Sequence, residues 1–397
     1  MRKAIAITTA WLLTTASQAQ TLGAALEQAW SRHPQAQVFA AHEAQAQARA
    51  ELAAALTPAP AKMSLSNASD RLNQATGKDA WELEVAVPLW LPGQKAAQGQ
   101  EAQSNQSELA ARRAALRLQL AAEVREAWWA LALARNALDS AQRREATATA
   151  LQADVQRQLK AGELARAQAN LADLERLGAE GETLEALTSV AQAEQAYRTL
   201  TGAGAPAQLA EEAPASPPTV PSTHPQLMAA QAVVQMAQAR LGVAQQTGRD
   251  APELALRWVR DRGDASAAYA DSVGIKLTVP FGSSARLRQE SAGALAETLQ
   301  ADAELALVQQ RLQLESERAQ REAKMVALQL TKAQVRVTLT ADTLRLTEKS
   351  YALGESDLGS LLRARAAALD AQANLSRQTT ARAASISRLN QSMGVMP

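Results

Sequence analysis

The chain has 397 residues, 47% of them hydrophobic but only 3% aromatic, and a formal net charge of +1 from 41 basic and 40 acidic residues. So even a balance leaves no electrostatic case for nucleic acid or for a polybasic membrane patch, and the abundant Ala and Leu suit close helix packing better than a bulky globular core. The absence of cysteine excludes disulfides, a thiol nucleophile, a Cys-based metal site and a lipid-modified N-terminal cysteine.

Met1 to Ala19 has the parts of a secretory signal: Arg2 and Lys3, an apolar stretch from Ala4 to Thr15, then Ser17-Gln18-Ala19 with small residues at the cleavage spacing. The mature chain is expected to begin at Gln20. The apolar stretch is too brief to span a bilayer and no later one reaches about 18 residues, so insertion into a membrane would have to use β-strands.

A first repeat is expected over 20–202. Its first helix starts near Thr21, breaks at His33-Pro34 and continues to about Leu56, where Pro58 and Pro60 end it. His33 reads as a helix cap, because three histidines (His33, His42, His224) without a cysteine do not make a metal site within one segment. Over about 60–67 and 80–89 the hydrophobic period becomes two. Met63 and Leu65 alternate with polar residues, and Trp81, Leu83, Val85, Val87 and Leu89 alternate with Glu82, Glu84 and Ala86. This predicts a β-hairpin with one apolar and one polar face, its second strand having the ~9–11 residues needed to cross hydrocarbon at a tilt. Glu101 to Ala161 then runs without Gly or Pro, with apolar residues every three or four positions, as in Leu116, Leu120, Val124, Trp128, Leu131 and Leu138. It predicts a single helix on the order of 90 Å long, closed by the turn at Ala161-Gly162-Glu163. A return helix follows from about Leu164 to Leu200.

The linker over 203–223 carries Pro206, Pro214, Pro217, Pro218 and Pro221, and reads as an extended strap or a disordered tether. A second repeat is expected over 224–397, with strands at about 252–260 and 272–281, a rod between Ala294 and Leu353, a turn at Gly354-Glu355 and a return helix from about Leu358 to Met393. The duplication rests on four landmarks. His33-Pro34-Gln35 recurs as His224-Pro225-Gln226, Val87-Pro88-Leu89 as Val279-Pro280-Phe281, Gly162-Glu163 as Gly354-Glu355 and Leu200-Thr201-Gly202 as Ser392-Met393-Gly394, at offsets of 191 or 192 residues.

Two hairpins separated by long helices have no further strands in the chain to pair with, which argues against a soluble sandwich. Four strands cannot close a membrane barrel, which needs about eight or more, so the chain should be oligomeric. Three copies supply about 12 strands, and the rods would continue the barrel as an α-helical tube. Pro88, Pro92 and Gly93 mark the first strand-to-helix junction and Pro280 and Gly282 the second.

The signal peptide, the duplicated helix, strand, strand, helix units, the Val-Pro-Leu-Trp-Leu-Pro-Gly-Gln and Val-Pro-Phe-Gly-Ser junctions, the turn Tyr351-Ala352-Leu353-Gly354-Glu355 and the repeat-ending Leu-Thr-Gly resemble the TolC outer-membrane efflux family over essentially the whole mature chain. Within it, Ala122-Glu123-Val124-Arg125-Glu126-Ala127-Trp128 and Leu91-Pro92-Gly93-Gln94-Lys95 are most similar to the CzcC-like members, which serve heavy-metal efflux pumps. The resemblance implies a homotrimer with a 12-stranded barrel in outer-membrane lipid, a long periplasmic α-barrel, and docking to an inner-membrane pump through a periplasmic adaptor. It also implies that the Gly162 and Gly354 turns lie at the far periplasmic tip, where the pore narrows and the adaptor docks. In the family an acidic ring narrows the second repeat's tip; here Ser360 and Arg363 stand at the matching positions, with Glu355 and Asp357 beside them and Glu163 in the first repeat. Glu after Gly and a nearby Asp also suit a helix start, and both roles can coexist.

No phosphate loop, nucleophile elbow or metal-ligand spacing is present in the sequence, so neither an enzyme nor a cofactor is expected. A passive exit duct fits best. The alternative is a periplasmic coiled-coil scaffold or adaptor without a pore, but an adaptor would need one helical hairpin flanked by compact β-domains.

Overall fold

The computed structural model describes residues 21–397 apart from 74, 163, 216–219, 249, 282 and 283. The signal segment 1–19, Glu163 and Gly282 therefore lie outside the described residues. Among the described residues, seven helices and four strands alternate in two similar blocks. The first comprises α1 (Leu22–Arg32), α2 (Pro34–Ala54), β1 (Lys62–Ser69), β2 (Asp79–Pro88), α3 (Gln94–Lys160) and α4 (Arg166–Thr201), and the second α5 (Pro225–Gln246), β3 (Glu253–Arg262), β4 (Ala270–Thr278), α6 (Ser284–Ala352) and α7 (Leu358–Ser392).

Local chemistry explains where the helices start and stop. Thr21 caps α1, its hydroxyl oxygen accepting from the Ala24 N–H at 3.2 Å. His33 and His224 occupy the same place in the two repeats. Each imidazole Nδ1 accepts the backbone N–H two residues on, at 3.3 Å from Gln35 and 3.2 Å from Gln226, with Pro34 or Pro225 at the first helical position, where its missing N–H is no loss. Glycines in the left-handed region (Gly162, Gly202, Gly354 and Gly394) end the long helices.

The rods α3 and α6 have 67 and 69 residues, about 100 Å each at 1.5 Å per residue. They begin well before Glu101 and Ala294, taking in Gly99 and Gly293. A glycine inside a helix costs only about 1 kcal/mol, and in rods of this length that is outweighed by the neighbouring turns.

The strands correct the expectation of two unconnected hairpins. They form one antiparallel sheet in the order β1-β2-β3-β4, because β2 pairs with β3 along its whole length, from Asp79 opposite Arg262 to Pro88 opposite Glu253. Among the described residues, the outer edges of β1 and β4 have no partner strand.

The largest core cluster gathers α1, α3, α4 and α7 around Leu26, Trp30, Leu120, Val124, Trp128, Tyr197 and Ala384. The linker is packed against this core rather than free over its described part. Arg125, buried on α3, donates to both carboxylate oxygens of Glu212 at 2.6 and 3.0 Å and to the Val395 carbonyl at 3.0 Å. Asn390 holds the neighbouring backbone, accepting from the Ala215 N–H and donating to the Ala213 carbonyl, both at 2.9 Å. The Trp128 indole N–H adds a bond to the Ala210 carbonyl at 3.3 Å. The strap thus clasps the first repeat's rod to the last helix of the second.

Candidate functional site

The sheet has two chemically distinct faces because the side chains alternate along each strand. One carries Met63, Leu65, Leu83, Val85, Leu254, Leu256, Trp258, Val273, Ile275 and Leu277 in register across the strands. Most of it is bare: Met63 is 76% exposed, Ile275 79% and Val273 71%. Burying large apolar side chains is the dominant favourable term in folding, so an apolar surface this open has a solvent other than water or a partner. The opposite face carries Lys62, Ser64, Glu82, Glu84, Glu253, Arg257, Lys276 and Thr278. Its charges are paired across strands: Lys62 with Glu253 at 2.8 Å, Arg257 with Glu82 at 3.3 Å and Lys276 with Glu84 at 3.2 Å.

At the base of the sheet, Pro88 ends β2 opposite Glu253, and the Leu89 N–H donates to the Pro252 carbonyl at 2.7 Å. Pro92 and Gly93 form the turn into α3. Gly93 caps it at φ 77°, a conformation that favours glycine, while a Cβ there would meet only the end of the Gln246 side chain, which can swing aside. The side-chain oxygen of Gln94 accepts from the Leu91 N–H at 3.0 Å while the Gln94 N–H returns to the Leu91 carbonyl at 3.1 Å. On the other side Pro280 lies in the irregular segment between β4 and α6.

At the other end of the rods, Gly162 (φ 77°) and Gly354 (φ 75°) make the turns. The Glu355 N–H reaches back to the Ser350 carbonyl at 2.9 Å and the Gly354 N–H to Tyr351 at 3.0 Å, which satisfies the last carbonyls of α6. Asp357 caps α7: its Oδ1 accepts from the Ser360 N–H at 2.6 Å, while the Arg363 guanidinium donates to the Ser360 hydroxyl at 3.0 Å. The bonds from Ser360 and, to a lesser degree, the nearby Arg363 charge hold the Asp357 carboxyl below its usual value. Asp357, Ser360 and Arg363 therefore act together, whereas Glu355 is exposed on the turn itself.

The two tips also pack on each other. Leu151, Val155, Ala169 and Ala172 of the first repeat bury Leu358 and Leu361 of the second, and the Tyr351 hydroxyl lies 3.5 Å from the Gln158 side-chain oxygen. Periodicity could not show these inter-repeat contacts, nor the cross-strand charges. Each lies between residues nearly half the chain apart, and only the matching offset of the two repeats hints at them. No helix among the described residues is long and apolar enough to cross a membrane, and they hold no group of three or more His, Cys, Asp or Glu arranged to take a metal.

The comparisons with known proteins point to outer-membrane proteins. Residues 219–395 match the family model described as outer membrane efflux protein. The chain is similar in fold to the CmeC outer membrane channel of Campylobacter jejuni, with a TM-score of 0.74 at 16% identity, covering 94% of this chain and 85% of that one. It is similar also to the outer membrane protein VceC of Vibrio cholerae (TM-score 0.75, 18% identity, 94% and 96% covered) and to the open state of the Neisseria gonorrhoeae MtrE outer membrane channel (0.72, 17%, 95% and 89%). No curated protein matches the chain in sequence. The family match lies within the second repeat and its approach, and the structural matches show that the fold is shared along nearly the whole chain.

Proposed function

We propose that the protein, exported by its leader 1–19, assembles as a homotrimeric exit duct of a tripartite efflux system, conducting passively what an inner-membrane pump delivers through a periplasmic adaptor. The observation that carries this reading is the four-stranded sheet with one bare apolar face, one charged face and two open edges. Unpaired strand edges are not tolerated in hydrocarbon, so the edges must pair with further copies, and three copies reach about 12 strands, enough to enclose an aqueous lumen. Each repeat, 20–202 and 224–397, then contributes one hairpin to the barrel and one helical pair to the tube, with the linker 203–223 around its middle. Pro88, Pro92, Gly93, Pro280 and Gly282 convert sheet to helix. Gly162, Glu163, Gly354, Glu355, Asp357, Ser360 and Arg363 form the tip that closes the pore and meets the adaptor. The resemblance of Ala122 to Trp128 and of Leu91 to Lys95 to the CzcC-like members supports heavy-metal cations as the cargo. With a net charge of +1, no role with nucleic acid is assigned.

The test is single-channel conductance of the purified protein in a planar bilayer, together with its cross-linked mass. A trimer with a small conductance that changes on Glu355→Gln or Asp357→Asn is the expected result. A monomer or dimer that stays in aqueous buffer and never inserts would overturn the duct and leave the scaffold reading. For the cargo, loss of heavy-metal tolerance in cells lacking this protein, restored by re-expression, is expected; unchanged tolerance would remove metals from the assignment.

A further inference from the structure

The paired charges on the sheet have a symmetry that follows from the duplication. The strand registers superpose β1 on β3 at an offset of 191 and β2 on β4 at 192. Under those offsets Lys62 is the counterpart of Glu253, and Glu84 the counterpart of Lys276. Equivalent positions in the two repeats thus carry opposite charges, and each charge bonds its own counterpart. Both pairs skip a strand. Lys62 on β1 crosses β2 beside Ala86 to reach Glu253 on β3, and Glu84 on β2 crosses β3 beside Ala255 to reach Lys276 on β4. Ala86 and Ala255 are buried beneath the bridging side chains, where anything larger would block the crossing.

The lysines are on the two edge strands and remain 70% (Lys62) and 54% (Lys276) exposed, so each has an open side. Applying the same offsets to the β2–β3 register gives the register for β4 of one copy against β1 of the next: Thr278 faces Ser64, as Ala86 faces Ala255, and Lys276 faces Ser66, as Glu84 faces Arg257. The residues to be crossed at that seam, Thr278 and Ser64, are again small. The remaining pair, Arg257 with Glu82, has Ser66 and Gly274 as its counterparts, so it belongs to the seam inside the chain alone.

We propose that in the assembled barrel Lys62 and Glu253 form one closed ring of alternating charge on the luminal face and Glu84 and Lys276 a second, each completed only where β4 of one copy meets β1 of the next. The partner is therefore a second copy of this chain, and this rests on the barrel reading above. Each exposed ion pair contributes little stability. What the rings supply is register and neutrality: a copy docked one residue out of step turns every charge onto the lipid face, and in the correct register the fixed charges of the two rings cancel around the lumen. The two rings then add no net charge to the lumen.

The experiment uses the full chain, reconstituted in planar bilayers under a KCl gradient, with the heat dissociation of the oligomer measured alongside. Lys276→Glu converts one ring to a single sign, and is expected to raise the potassium-to-chloride permeability ratio by about threefold or more and to lower the dissociation temperature. The swap Glu84→Lys with Lys276→Glu is expected to restore both. Ser64→Cys with Thr278→Cys, in a chain with no other cysteine, is expected to link copies covalently on oxidation, while either single variant does not; this decides the seam even if Lys276→Glu fails to assemble. A conducting wild type whose selectivity and stability ignore Lys276→Glu, or whose cysteine pair never links copies, overturns the rings and leaves the barrel standing. A wild type that never conducts overturns the barrel, and the rings with it.

Discussion

The two rods are near twins in length, 67 residues in α3 and 69 in α6, yet they sit in their surroundings differently. In α3, Leu118, Leu120, Val124, Trp128 and Leu131 are fully covered by the protein's own chain. In α6, Leu295, Leu299, Leu307, Leu314, Leu328 and Leu339 are all bare, Leu307, Leu314 and Leu328 falling seven or fourteen residues apart, while the residues it buries are mostly small ones such as Ala294, Ala301, Ala319 and Ala333. A seven-residue apolar spacing marks the seam of a helix packed along its length on another helix. The difference shows that duplication did not preserve roles. One rod is the chain's internal spine; the other presents a bare apolar stripe, which the proposed assembly would cover.

Substitutions can break this contrast, the most damaging of them on the spine. Trp128→Ala should cost about 3–5 kcal/mol, by emptying the core against Tyr197 and freeing the strap from its bond at Ala210, measured by thermal unfolding of the detergent-solubilised protein. Arg125→Ala should cost about 3 kcal/mol, since it strands a largely buried Glu212 whose remaining partner is Ser387. The double change Arg125→Met with Glu212→Leu should recover most of that loss. If it does not, the clasp depends on its charges rather than on filling space.

On the bare rod the expected effects move from folding to assembly. Leu314→Asp and Leu328→Asp should leave helicity by circular dichroism unchanged and alter intrinsic stability by no more than about 0.5 kcal/mol, while the cross-linked mass falls to that of the single chain. An unfolded product would mean that α6 relies on contacts within its own chain.

The smallest effect is a pH dependence at the start of the second repeat. Burial, and secondarily the Arg311 charge, hold the His224 imidazole below its ordinary value of 6.5. Its protonation is favoured more in the unfolded chain than in the folded one. The contribution is therefore complete above about pH 6.5 and is lost as the pH falls from there through the depressed folded value. Protonation would also remove the Nδ1 acceptor that caps α5. Melting temperature should decline on mild acidification in the wild type, and less steeply in His224→Asn, which keeps a capping oxygen and does not titrate. Equal slopes would remove His224 as the cause.

The change of hydrophobic period at Met63 and again at Trp81, the proline after each histidine cap and the glycine ending each rod were legible in the sequence, because each depends on residues within a few positions of one another, and the repeat offset was legible because such short motifs recur. The same near-neighbour logic misplaced the starts of the rods. Gly99 and Gly293 look like interruptions when weighed alone, but they are outvoted in a helix nearly 70 residues long. At the tip, the sequence already suited Asp357 to a helix start, and the structure adds which N–H it caps, that of Ser360, and the bond from Arg363 to the Ser360 hydroxyl.

Tertiary structure alone decided that β2 meets β3, that the Pro-rich linker is clasped by Arg125 and Asn390, that the two tips share one cluster of leucines, and that Lys62 reaches Glu253 while Glu84 reaches Lys276. These contacts join residues far apart in the chain, and no periodicity within either segment encodes which distant partner it will meet. Secondary structure and repeat architecture follow from short-range sterics and amphipathic spacing. Pairing between the repeats follows from shape and charge that only the folded chain brings together, and so the chain's division into a covered spine and a bare stripe became visible only in three dimensions.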